Sequence, residues 1–181
     1  MKKFDLNFYS GKRVLVTGHT GFKGTWLCRL LLNMGAQVTG YSLQPPTEPS
    51  IFGLAGMDRQ MNSITGDIRN LDRLLEVFRE NRPEIVLHLA AQPIVRESYK
   101  NPRETYEINV MGTVNILECA RQFSCVRSFL NVTTDKVYEN KEWEWGYREE
   151  DVLDGFDPYS NSKSCSELVT HSYIRSFFCG Q

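Results

Sequence analysis

The chain has 181 residues, 41% hydrophobic and 24% charged, with a formal net charge of −1; that length supports one sizeable core and a single domain. The near-neutral charge, with no long run of Lys and Arg, excludes an electrostatic footprint for nucleic acid or an anionic membrane surface. No segment reaches the roughly 18 apolar residues of a spanning helix, and Asp5, Asn7 and Ser10 interrupt the stretch that a signal peptide keeps apolar, so a cytoplasmic protein without a membrane partner is expected.

Near the N-terminus, Val14, Leu15 and Val16 form a short apolar run that leads into Gly18, Gly21 and Gly24 and then into the helical pattern TWLCRLLLNMG. Strand, glycine-rich turn and helix in that order suit a dinucleotide pyrophosphate, because the backbone can approach closely and a helix N-terminus presents free N–H groups to the anion. Gly35 ends the helix and Val38 to Tyr41 read as a second strand. QPPTEPSIFGLAGMDRQ, with three prolines and two glycines, shows no sustained period and reads as a surface loop.

Asn62 to Thr65 read as a short strand, and Asn70 as the cap of an amphipathic helix in which Leu71, Leu74, Leu75 and Phe78 share a face. EIVLHLAAQ is nearly continuous in apolar residues, as in a parallel strand buried on both faces. Asn101-Pro102 opens a long helix through Gln122, VRSFLNVTT reads as another buried strand, and DKVYENKEWEWGYREEDVLDGFD as a long loop beside the site. Asp157-Pro158 then start a helix that runs through YSNSKSCSELVTHSYIRSFF. The expected fold is α/β, a doubly wound parallel sheet in strand order 3-2-1-4-5.

Two further sets of side chains bear on chemistry. The five cysteines (Cys28, Cys119, Cys125, Cys165, Cys179) are odd in number and contain no CxxC pair, so they suggest neither a disulfide framework nor a metal site. Tyr159 and Lys163, four residues apart, fall on one face of the last helix. Alone they read as a solvated pair. Behind a strand that ends in Thr133-Thr134 they read as a general base, the ammonium favouring the phenolate and a threonine hydroxyl lying within reach. His19 reads as a residue that orders the glycine turn, His88 as a strand residue and His171 as a late helical one.

The series Gly18-x-x-Gly21-x-x-Gly24, Gly66-Asp67-Ile68, His88-Leu89-Ala90-Ala91-Gln92, Asn109, Thr134-Asp135-Lys136 and Tyr159-Ser160-Asn161-Ser162-Lys163 resembles the extended short-chain dehydrogenase/reductase family over nearly the whole chain. Within it, GHTGFKGTWL, YSLQPPTEPSIF, HLAAQPIVRESY and TTDKVY look like the CDP-glucose 4,6-dehydratase branch. The resemblance implies NAD as cofactor, held by Gly18, His19, Thr20, Gly21, Phe22, Lys23 and Gly24, with Asp67 and Ile68 at the adenine. It adds Leu89, Ala90, Ala91, Gln92, Asn109 and Thr133 to the cofactor contacts, and Tyr159 and Lys163 at the nicotinamide ribose. Gly40-Tyr41-Ser42 stand where an acidic residue often binds the ribose 2′-hydroxyl, and the residues themselves leave NAD and NADP open.

The implied reaction oxidises the sugar at C4, eliminates water across C5 and C6, and returns the hydride to C6. Tyr159 takes the C4 hydroxyl proton with Thr134 and Lys163 in support, and protonated Asp135 donates to the leaving C6 hydroxyl. Lys136 stands where related dehydratases carry a Glu; it is either the C5 base, the group that positions that base, or an ion-pair partner of Asp135. The resemblance further implies a nucleotide-sugar substrate, a homodimer through helices near 101–121 and 158–178 using Ile108, Met111, Tyr173 and Phe177, and a separate substrate domain that residues 1–181 do not include. A dinucleotide-binding fragment without activity, and an epimerase, reductase or dTDP-glucose dehydratase of the same fold, are the alternatives.

Overall fold

The computed structural model describes residue 5 and residues 7–178. Its centre is a five-stranded, all-parallel sheet of β1 (Arg13–Thr17), β2 (Gln37–Ser42), β3 (Asn62–Thr65), β4 (Ile85–His88) and β5 (Ser128–Asn131), in order β3-β2-β1-β4-β5. The expected doubly wound order is therefore what forms. Successive residues of β1 and β4 point to opposite faces, so each strand feeds two cores. Val14, Val16, Ile85 and Leu87 pack with Cys28 and Leu31 of α1 (Phe22–Asn33) on one face; Leu15 and Val86 pack on the other with Leu74, Val77 and Phe78 of α3 (Leu71–Asn81). The expected cap of α3 is in place, Asn70 Oδ1 accepting from the Arg73 amide at 3.0 Å. Among the described residues Cys28, Cys119, Cys125 and Cys165 are free; Cys179 lies outside them.

Five segments differ from expectation. The loop over 44–60 contains α2 (Ile51–Leu54) and a 3-10 turn (Met57–Arg59), which bury Phe52 and Met57. These pieces are shorter than one period of any amphipathic pattern, and only the Ser50 cap announced them. Ile94 is followed by α4 (Val95–Lys100), again a single short turn and a half. The helix expected over 101–122 is α5 (Pro102–Tyr106), a π segment (Glu107–Met111) and α6 (Gly112–Gln122) in sequence, the extra residue of the π turn coinciding with buried Asn109. Both apolar runs expected as long strands pair over four residues only, β4 stopping at His88 and β5 at Asn131, after which the chain turns out of the sheet to form the site. Finally α7 (Pro158–Tyr173) begins as expected, with Asp157 Oδ1 accepting from the Ser160 amide at 3.1 Å and Pro158 in the first turn.

Candidate active site

The C-terminal ends of β1, β2, β4 and β5 open on one cleft of about 480 Å³, within the range of small-molecule and cofactor sites. It is lined by Gly18, Gly21 and the start of α1, by Ser42 and Asp67, and by Ala90, Thr133, Tyr159 and Lys163. Strand ends at a switch in sheet order are where doubly wound folds take ligands.

The three glycines of the turn serve different needs. Gly18 has φ of +73°, and a Cβ there would lie 2.8 Å from the Ala90 nitrogen. A Cβ on Gly24 would lie 2.1 Å from the Gly18 carbonyl oxygen. Both are required by the protein's own backbone. Gly21 is not, because the nearest atom to its Cβ position is 3.4 Å away and its φ is −74°. It lines the cleft, caps α1 without a side chain, and no acidic residue occupies the first turn. A helix N-terminus left uncapped at a bare glycine inside a cleft fits a pyrophosphate group.

His19, expected among the cofactor contacts, is not part of the cleft lining. Its side chain is fully buried and turned away from the cleft: the ring lies over Gly40, where a Cβ would meet it at 2.3 Å, and edge-on to Phe52 at 5.2 Å, with Nε2 2.7 Å from Ser63 Oγ. Burial drives its pKa down to about 4. The cleft wall does contain Thr20, Phe22, Lys23, Ile68, Leu89 and Ala91. At the end of β2, where an acidic residue often binds the ribose, Ser42 Oγ is 2.8 Å from Thr20 Oγ1. Asp67 is gripped by Arg69 through Nε and Nη2 and by the Arg69 amide, which holds its carboxyl below the usual range.

Gln92 and Asn109 lie behind the wall. Asn109 Oδ1 accepts from the Gln92 amide at 2.8 Å, and its Nδ2 donates to the Gln92 carbonyl at 3.1 Å and to Ser162 Oγ at 2.9 Å. The π turn thus ties the loop after β4 to α7. A second tie comes from α4, whose buried Ser98 accepts the Tyr159 amide at 3.1 Å. A third runs below the cleft. Thr17 Oγ1 accepts from the Leu89 and Ala90 amides, both at 3.1 Å, which leaves its one proton for His88 Nδ1 at 2.7 Å. His88 is then the Nε2–H tautomer, facing Thr113 Oγ1 at 3.3 Å. Burial, with the Lys163 charge adding to it, lowers its pKa to about 3. None of these ties was expected from sequence; only the adjacency of Thr17 to the glycine turn hinted at one.

Tyr159 and Lys163 do share a wall, but the expected electrostatics differ. Burial raises the Tyr159 pKa and the Thr134 side chain opposes the rise, while Asp157 and Asp135 add to it. The Lys163 ammonium is engaged elsewhere, donating to the Val132 carbonyl at 3.0 Å, and burial lowers its pKa to about 8. Thr134 Oγ1 donates to Asp135 Oδ1 at 3.0 Å. Asp135 and Lys136 are exposed beside the cleft rather than in its wall, and the Asp135–Lys136 ion pair considered above is not among those of the described residues.

A family model described as GDP-mannose 4,6 dehydratase matches residues 15–179. The chain is 53% identical over 174 residues to a CDP-glucose 4,6-dehydratase of Salmonella typhimurium, covering 96% of this chain and 48% of that protein. It is 30% identical to a probable dTDP-glucose 4,6-dehydratase of Sinorhizobium fredii, covering 91% and 50%. Among solved structures it superposes with a TM-score of 0.80, at 30% identity over 92% of this chain and 52% of the other, on DesIV, a dTDP-glucose 4,6-dehydratase from Streptomyces venezuelae with NAD and TYD bound. The chain therefore spans about half the length of the curated relatives it matches.

Proposed function

Because the chain belongs to the GDP-mannose 4,6-dehydratase family, we propose that it is the dinucleotide-holding portion of a CDP-glucose 4,6-dehydratase, a lyase that makes CDP-4-keto-6-deoxyglucose with NAD. One observation carries the choice of substrate: identity is 53% to the CDP-glucose enzyme against 30% to the dTDP-glucose one, over similar shares of the chain. NAD is favoured over NADP because the solved dehydratase relative holds NAD.

NAD bound along the glycine turn supplies hydride acceptance and its return. The protein's part is binding and proton handling. The bare N-terminus of α1 holds the pyrophosphate, Asp67 and the Ile68 backbone meet the adenine, and Thr133 and Ala90 close the other side. Tyr159 moves the proton of the sugar C4 hydroxyl. Its phenol is held high by burial, with the Thr134 side chain opposing the rise; Lys163, which a pKa of about 8 leaves charged at neutral pH, lies one turn on along the same helix face. Thr134 bonds the same hydroxyl.

A 4-ketone then acidifies the C5 proton. Asp135 holds the proton that departs with the C6 hydroxyl, and Lys136 is the C5 base or the group that positions it. Both are exposed beside the cleft. The nucleotide-sugar substrate and a homodimer through the helices near 101–121 and 158–178 belong to the same proposal. Exposed Met111, Leu168 and Phe177 support the dimer. Among the described residues no helix is long and apolar enough to cross a membrane.

The test is to incubate protein carrying this chain with NAD and CDP-glucose. The expected product shows the ultraviolet absorbance of a 4-keto sugar in alkali, without net reduction of the cofactor. A C4 epimer, or net cofactor turnover, contradicts the reading.

A further inference from the structure

Three consecutive residues from the last of β5 onward are tied to four residues of α7. Asn131 Nδ2 donates to Ser166 Oγ and to Thr170 Oγ1, both at 2.9 Å, and the Val132 carbonyl accepts from Lys163 Nζ at 3.0 Å. The Thr133 hydroxyl donates to Glu167 Oε1. The next residue is Thr134, whose side chain acts on Tyr159. Glu167 follows Lys163 by four positions and so occupies the same face of α7, one turn on. Thr133 is its hydrogen-bond partner, and no Lys or Arg of the described residues pairs with it within 4.0 Å. A half-buried carboxylate in such a place is not explained by surface solvation.

We propose that Glu167 is a positioning residue of this site: its carboxylate pins the Thr133 hydroxyl, so that the strand end presents Thr134 to Tyr159, and it supplies the negative charge that faces Lys163. Its part in a reaction rests on the Tyr159–Lys163 reading above; its structural part does not. The charged and titratable groups around Lys163 are few. Its own helix offers Tyr159 and Glu167, and β4 offers His88, which is neutral. The strand end contributes the Val132 carbonyl, and Asp135 acts on Tyr159 instead. Burial pushes the lysine towards its neutral form and Glu167 pushes it back. Removing that carboxylate removes the one charged group in this set that opposes the desolvation.

The inference is tested in the 181-residue chain without dinucleotide or sugar, by following the titration of Lys163 through NMR of labelled lysine. Glu167→Gln keeps an oxygen acceptor for Thr133 and loses the charge, and is expected to lower the Lys163 midpoint by about one pH unit. An unchanged midpoint overturns the electrostatic part. Thr133→Val keeps the charge and loses the pin; it is expected to leave the midpoint in place and to raise amide hydrogen exchange at Val132–Thr134 about tenfold. Unchanged exchange overturns the pinning part. Because neither readout involves a ligand, failure of the dehydratase assignment leaves both results interpretable, and failure here leaves that assignment standing.

Discussion

Gly24→Ala is expected to destabilise the chain by about 3 kcal/mol, at the upper end of overpacking costs. The added methyl would lie 2.1 Å from the Gly18 carbonyl oxygen, 2.7 Å from His19 Cα and 2.8 Å from the Gly18 carbonyl carbon. All three atoms are backbone, so no rotamer change relieves the contact, and the start of α1 must lift away from the glycine turn. The turn cannot yield in turn, because Gly18 is already held against Ala90 and its amide donates to the Tyr41 carbonyl at 3.0 Å. For a domain of this size the loss corresponds to a fall of roughly 6–12 °C in Tm, read by thermal melting. A melting temperature within a degree or two of wild type would show that helix and turn do not meet as described.

Acid is expected to destabilise the fold well above the range in which carboxylates protonate. His19 and His88 are buried and neutral, with pKa values of about 4 and about 3. Both are lowered from the usual 6.5, so the folded state favours the uncharged rings. Their contribution is complete above pH 6.5 and is lost as pH falls through 6.5 towards 4 and 3, because the unfolded chain takes up the two protons first. Each group costs about 1.4 kcal/mol per pH unit in that window, which makes the fold on the order of 4 kcal/mol less stable at pH 5 than at pH 7. For His88 the structural reason is specific. Thr17 has only one proton to give, its oxygen being committed to the Leu89 and Ala90 amides, and a protonated Nδ1 would have no acceptor there. Denaturant unfolding at several pH values measures the slope, and His88→Gln, which offers one acceptor and one donor, should reduce it from about two protons to about one. A stability that is flat between pH 7 and pH 5 would contradict this.

What the sequence disclosed follows from how local each signal is. The glycine turn, Asn70 as a cap, and Asp157-Pro158 at the head of α7 depend on a few adjacent residues, and each forms as read. The alternating strands and their order follow from buried parallel patterning separated by helices. The short elements α2 and α4 escaped because four to six residues hold too little period to register.

At the site, spacing put Tyr159 and Lys163 on one face, but it did not reveal that Lys163 bonds the Val132 carbonyl or that burial governs the phenol. His19 was legible as part of the turn and not as a ring folded onto Gly40, since that depends on β2 lying beside it. The ties made by Ser98, Thr17 and Glu167 join elements 34 to 73 residues apart in the chain, and their registers exist only once the sheet has formed.

The central claim is that this cleft holds a nicotinamide dinucleotide, with its pyrophosphate over Gly21. Titration of the folded 181-residue chain with NAD, beside Gly21→Ala, tests it most directly. Protein atoms leave room for the Gly21 methyl, the nearest being 3.4 Å away, so the account predicts an unchanged melting temperature, saturable binding by the wild type, and affinity at least about tenfold weaker in the variant, a loss of roughly 1.4 kcal/mol. Absence of saturable binding by the folded wild-type chain, or equal affinity in the two proteins, would contradict it.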